Sequence, residues 1–267
     1  MIDPLHGRAA RHWTEAYDRS PEEPFLIESV IASMDAIGVA SAVLHVPDDK
    51  YMNEIARRYP DRIAFLTVAA PGPSVEQLVE ESRERPEIVG LRILIRTDAD
   101  EESVRQGAYE PLLASAEAQG VPVFALVSEH LTVVEPIAGA HPGLVLVVDH
   151  LGLPQPPTRK RDDPPFRRLQ ELLNLARYPN VLVKFIGAPS YSNEAYPFHD
   201  IWPHLHKVLD AFGPERLMWG SDFTRFWGMF TYSELLTYLL YSTEVSDRDK
   251  EWLLGRTIRE KVGWPPQ

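Results

Sequence analysis

The chain has no cysteine, which excludes disulfides, thiolate metal sites and cysteine nucleophiles together. Catalysis must then come from His, Asp, Glu, Arg, Lys or a hydroxyl. Positive charge is also scarce: 27 Lys and Arg stand against 39 Asp and Glu, a formal net charge of −12. That balance repels nucleic acid and anionic membrane surfaces, because a polyanion needs a basic patch to hold it. Arg159, Lys160 and Arg161 come nearest to one, but Asp162 and Asp163 follow at once, and the stretch reads as a solvated loop. No apolar run reaches the ~20 residues that cross a bilayer. Met1 is followed by Asp3 and His6, not by a basic segment and an apolar signal core. These absences leave a cytoplasmic protein as the default, with a small molecule as its expected partner and a homo-oligomer left open.

What is present is ordinary globular material, 44% hydrophobic and 25% charged over 267 residues, enough for one large core. Short β-branched runs alternate with longer segments of helical periodicity, the signature of βαβ units and a parallel sheet. Strands are predicted at 40–46, 63–69, 88–95, 121–127, 144–149, 181–186 and 217–220. Helices are predicted at 28–37, 51–59, 74–85, 109–119, 131–140, 166–177 and 199–212, with two more at 232–241 and 247–261. Gly38, Gly120 and Gly213 supply the left-handed residue that closes a helix before the next strand. The pattern predicts an α/β fold of the (β/α)8 TIM-barrel type in a single domain, 1–267, with one strand not visible. That strand should precede Glu28, where only Met1, Ile2 and Asp3 offer themselves, so it is expected to be short or truncated. The Pro-rich stretch from Pro154 to Pro165 reads as a long loop on the face where barrel enzymes keep their sites.

In such a barrel the C-terminal ends of the strands converge on the mouth, so the last polar residue of each strand is the first candidate. Asp222 follows Met218-Trp219-Gly220-Ser221 and reads as a general base for water or as a metal ligand; a helix cap or turn aspartate is the structural alternative. His150, in Val147-Val148-Asp149-His150-Leu151-Gly152, could polarise a carbonyl or hold a metal, although a lone histidine after a strand is more often structural. Lys184 lies inside an apolar strand and must be paired, reach the mouth or snorkel outward; Asp222 or a substrate carboxylate is its expected partner. Arg92 and Arg96, four apart, share one strand face. Arg96, nearer the mouth, is the better anion clamp, and Arg92 lower in the wall could be structural. His45 could reach the mouth or simply begin a loop. His12, His130, His141, His199, His204 and His206 fall in predicted loops or helices and are set aside.

The runs VVDHLGLPQP at 147–156, NVLVKFIGAPSYS at 180–192 and FGPERLMWGSDF at 212–223 resemble the amidohydrolase-related family that includes lactonases acting on pyrone dicarboxylate. MDAIGVASAVL at 34–44, YPDRIAFLTV at 59–68 and LLGRTIREKVGWP at 253–265 extend the likeness over nearly the whole chain. The resemblance implies a (β/α)8 barrel, a hydrolytic water activated by Asp222, and His150 helping to polarise the scissile carbonyl. Lys184 and Arg96 match positions where relatives present cations to anionic substrates. Decarboxylases of the family use the same barrel with a divalent metal, typically zinc.

The chain departs from that pattern in three places. Many relatives carry two histidines one residue apart at the end of the first strand, whereas Asp3-Pro4-Leu5-His6 shows one. The zinc-dependent branch has a histidine where this chain reads Phe124-Ala125-Leu126-Val127-Ser128. Where relatives often read Trp-Pro-His after the aspartate, Phe223, Thr224 and Arg225 follow Asp222, and Arg225 could add an anion contact or face solvent. A zinc site usually needs three protein ligands, and the candidates are His6, His150 and Asp222. The favoured expectation is a metal-free, lactonase-like hydrolase that opens a C–O or C–N acyl bond of a small anionic lactone, ester or amide. Two alternatives remain: a metal-dependent decarboxylase of an aromatic or dienoic acid, and a catalytically inactive ligand-binding barrel.

Overall fold

A computed structural model describes residues 27–45, 49–157 and 159–264. Met1 to Asp3, read above as a first strand, and the candidate His6 lie outside the described residues. Seven strands form one parallel sheet in sequence order: β1 (Ala42–Leu44), β2 (Ile63–Val68), β3 (Ile88–Leu94), β4 (Val123–Leu126), β5 (Leu146–Val148), β6 (Val181–Phe185) and β7 (Leu217–Trp219). Parallel neighbours cannot be joined by a tight hairpin, so each connection carries helix back along the outside.

All seven predicted strands are present. Among the helices, α1 (Ile27–Ile37), α2 (Asp49–Arg58) and α3 (Val75–Glu84) match the predicted spans closely. A further helix, α4 (Asp98–Arg105), was not anticipated; it buries no residue and so shows no apolar stripe. Its start is fixed by a capping box in which Thr97 accepts from the Asp100 N–H while the Asp100 carboxylate accepts from the Thr97 N–H. The remaining long helices are α5 (Glu110–Gln119), α6 (Val134–Ala140), α7 (Leu169–Asn174) and α8 (Trp202–Phe212). After β7 come a single turn, α9 (Phe223–Phe226), then α10 (Tyr232–Leu240) and α11 (Asp247–Glu251). The last predicted helix, 247–261, continues past α11 only as wide π turns.

Side chains alternate across each strand and separate two cores. Along β6, Val181, Val183 and Phe185 pack outward with Val148, Leu217 and the helix layer. Leu182 packs inward with Ala64, Leu66, Phe124, Val147 and Met218. Each fully buried side chain of this size contributes roughly 1.5–3 kcal/mol. Gly90 is a close-approach glycine: a Cβ there would lie 2.7 Å from the Pro122 carbonyl oxygen and 2.9 Å from the Phe124 ring. Among the described residues β1 and β7 each pair with one neighbour only. A cavity of about 350 Å³ lies between them, lined by Ala42, Trp219, Tyr232 and Leu253 and reaching Lys184 and Ser221 on the inner wall.

Candidate active site

The inward phase of β6 carries a cation into the barrel at Lys184, and β3 does the same at Arg92. A buried ammonium or guanidinium must find an anion. Both find Asp149, the residue after β5. Val148 is in register with Val183, so Asp149 comes level with Lys184. The Lys184 Nζ lies 2.8 Å from Asp149 Oδ1. Arg92 places Nε at 2.9 Å and a terminal nitrogen at 2.8 Å from Asp149 Oδ2. Burial alone would raise the Asp149 pKa, but Lys184 and then Arg92 overcome it and hold the carboxyl far below the usual range. Burial lowers the Lys184 pKa, with Asp149 opposing. Lys184, expected to meet Asp222 or a substrate carboxylate, thus has Asp149 as an unanticipated partner. Arg92 is a wall residue fastened to the same carboxylate.

Next in sequence, His150 is fully buried and begins a run of three left-handed residues: His150 at φ 53°, Leu151 at φ 58° and Gly152 at φ 65°. Left-handed conformations are costly for residues other than glycine, less so for His and Asp than for Leu. The run swings the imidazole towards the loop after β7. At Gly152 a Cβ would fall 2.6 Å from the Leu131 side chain, so the turn closes only on glycine. Asp222, the cap residue of α9, is also left-handed, at φ 48°, and its exposure is 2%.

Arg225 joins the two. Its Nε is 2.8 Å from Asp222 Oδ2, and a terminal nitrogen is 3.1 Å from His150 Nε2. An imidazole nitrogen facing a guanidinium can only accept, which puts the ring proton on Nδ1. Nδ1 faces Asp222 Oδ2 across 3.7 Å. Burial first, and Arg225 second, push the His150 pKa well below the usual imidazole range, so the ring is neutral at pH 7. Arg225 therefore does not face solvent; it grips the carboxylate three residues before it.

Other candidates sit apart. Arg96 is exposed beyond the end of β3; its N–H donates to Asp100 at 2.9 Å and its carbonyl accepts from Arg159 at 2.8 Å. His45 is half-buried at the end of β1, with Nδ1 3.5 Å from the Leu66 carbonyl oxygen. Burial, followed by the nearby Arg92 charge, pushes its pKa down to about 4.

Metal binding has two places to be tested. At His150 and Asp222 the described residues bring no third donor, and the guanidinium already spans the pair, so an ion there would crowd a second cation onto the Asp222 carboxylate. Taken among the described residues, this pair does not fit a metal. Elsewhere Asp98, Glu101 and His130 bring three donor atoms within 4.8 Å of one another. There His130 Nδ1 lies 2.7 Å from Glu101, and Arg105 and Thr132 also donate to that carboxylate, which holds its pKa down to about 2. The cluster is satisfied internally as a clasp between α4 and the loop after β4.

A family model described as Amidohydrolase matches residues 6–263. The chain belongs to the amidohydrolase family. It is 30% identical over 183 residues to an L-fucono-1,5-lactonase of Burkholderia ambifaria, covering 66% of this chain and 59% of that protein. It is 24% identical over 210 residues to a 4-sulfomuconolactone hydrolase of Hydrogenophaga intermedia, covering 76% and 65%. The alignments thus span less than two thirds of either relative. A crystal structure of an amidohydrolase from Burkholderia multivorans with bound zinc superposes with a TM-score of 0.82 at 22% identity, over 99% of this chain and 98% of that one. That likeness gives the fold, the barrel expected from the strand pattern. No described helix is long and apolar enough to cross a membrane.

Proposed function

We propose that this chain opens a small lactone carrying negative charge, with Asp222 as general base for water and His150 as its neutral partner. The observation that carries the reading is the Asp222–Arg225–His150 constellation, set by left-handed backbone at two strand ends of an amidohydrolase barrel. Lactone-hydrolysing relatives support it; the cavity between β1 and β7 touches Lys184 and Ser221 but is not lined by His150, Asp222 or Arg225, and it carries no part of the reading.

The chemistry follows from the roles these groups can fill. Asp222 removes a proton from water as the oxygen attacks the lactone carbonyl carbon. The carbonyl oxygen becomes an oxyanion, to which this reading assigns the Arg225 charge and the His150 Nδ1–H as stabilising groups. Collapse breaks the ring C–O bond, and the alkoxide leaving group recovers the proton from Asp222. Product is a hydroxy acid, and atoms balance with one water consumed. Arg96, exposed outside this cluster, is assigned to drawing the anion towards the mouth. The alternative decarboxylase reading requires a metal for which the His150–Asp222 pair offers no third described donor.

A panel of sugar and muconate-type lactones, followed by acid release, tests the proposal. Asp222→Asn is expected to lower turnover by about 10²–10⁴-fold, the usual range for a general base, while circular dichroism shows the fold intact. Full activity in that variant would sink the role given to Asp222.

A further inference from the structure

We propose that Arg225 is a built-in cation that does, for His150 and Asp222, what a divalent ion would otherwise do, and that it keeps such an ion out. The guanidinium comes from the single turn α9, three residues after the carboxylate that caps it, and folds back over that left-handed cap. Its Nε forms an ion pair with Asp222 at 2.8 Å, and a terminal N–H is given to His150 at 3.1 Å. One fixed group thereby orients the carboxylate, neutralises it and sets the imidazole tautomer, as a metal shared by the two would.

Charge in the enclosure supports the same conclusion. Among the described residues three cations, Arg92, Lys184 and Arg225, surround two carboxylates, Asp149 and Asp222, with His150 neutral. The sum is +1. A divalent ion would raise it to +3 in a setting with little water to screen it, whereas an anionic substrate or an oxyanion brings it to zero. The inference rests on placing the site at His150 and Asp222 and not on the lactone reading, so the two can fail separately.

The first test is metal uptake. The full chain is stripped with chelator, dialysed against zinc alone and assayed by plasma mass spectrometry. Wild type and Asp222→Asn are expected to retain the same amount; an ion held by wild type and lost in Asp222→Asn overturns the proposal. The second test is the ring-nitrogen spectrum of ¹⁵N-labelled His150 at fixed pH. Wild type is expected to show the proton on Nδ1, and Arg225→Ala a mixture of tautomers. An unchanged spectrum in the variant overturns the role of Arg225. If Arg225→Ala does not fold, Arg225→Lys serves the same readout, since an ammonium keeps the charge without the fork. Neither test reads turnover. On an identified substrate, Arg225→Ala should lose about 10²–10³-fold, the loss seen when one oxyanion donor is removed. Added methylguanidinium should restore part of this; restoration by zinc instead would overturn the proposal.

Discussion

Two buried carboxylates follow strands of this barrel, and they are treated differently. Asp149 has no exposed surface and is clamped from two strands, by Lys184 on one oxygen and Arg92 on the other. Asp222 is almost as buried, yet the cation paired with it arrives from its own loop, a neutral imidazole lies 3.7 Å away, and Lys184 acts on it only from a distance. The contrast separates a carboxylate that ties two wall strands together from one whose ion pair lies within a single loop. Burial is nearly the same for the two; the origin of the cation paired with each is what differs.

Removing each carboxylate breaks the comparison most directly. Asp149→Ala leaves two buried cations uncompensated and should cost about 3–5 kcal/mol of stability, read by urea unfolding. Asp222→Asn should cost less than Asp149→Ala, because it leaves one partly exposed cation, Arg225, instead of two buried ones and asparagine tolerates the left-handed backbone, although turnover falls. Equal destabilisation by the two would collapse the distinction. A sharper test is the double-mutant cycle of Arg92→Met with Asp149→Asn, where a coupling of about 1–3 kcal/mol is expected for residues in one charged network.

The pH dependence of His45 gives a smaller effect. Its folded pKa is depressed from 6.5 to about 4, so folding favours the neutral ring. The associated stability is present above pH 6.5 and declines as pH falls towards about 4, because the unfolded chain takes up the proton first. His45→Gln should flatten that part of the stability curve; an unchanged slope would remove His45 from the account. Smallest is Thr97→Ala, expected to cost about 1 kcal/mol through loss of the α4 cap, with turnover untouched.

Most of the fold is legible in the residue pattern because parallel strands buried on both faces read as continuous apolar runs, as in 63–69 and 121–127. α4 is not, since a helix with no buried residue shows no stripe; the Thr97–Asp100 spacing was the available signal. In the site, His150, Asp222 and Lys184 stand out as polar residues breaking apolar strands. Asp149 was overlooked beside His150 although the period-2 phase carries it inward with Lys184 and Arg92, and two inward cations call for an inward acid. The grip of Arg225 on Asp222 was available from their three-residue spacing, but its reach to His150 joins loops 75 residues apart, which no local pattern encodes.

The left-handed backbone at His150, Leu151 and Asp222 has a consequence for the protein's evolution. Residues held in that region carry a conformational cost of order 1–3 kcal/mol each, so heat resistance can be gained there by relaxing the very turns that aim the imidazole and the carboxylate. A selection for thermal endurance alone would therefore erode these positions early, at the expense of the turnover proposed above. A selection for turnover would keep them strained, and the chain would have to recover its durability in the outer helix layer instead.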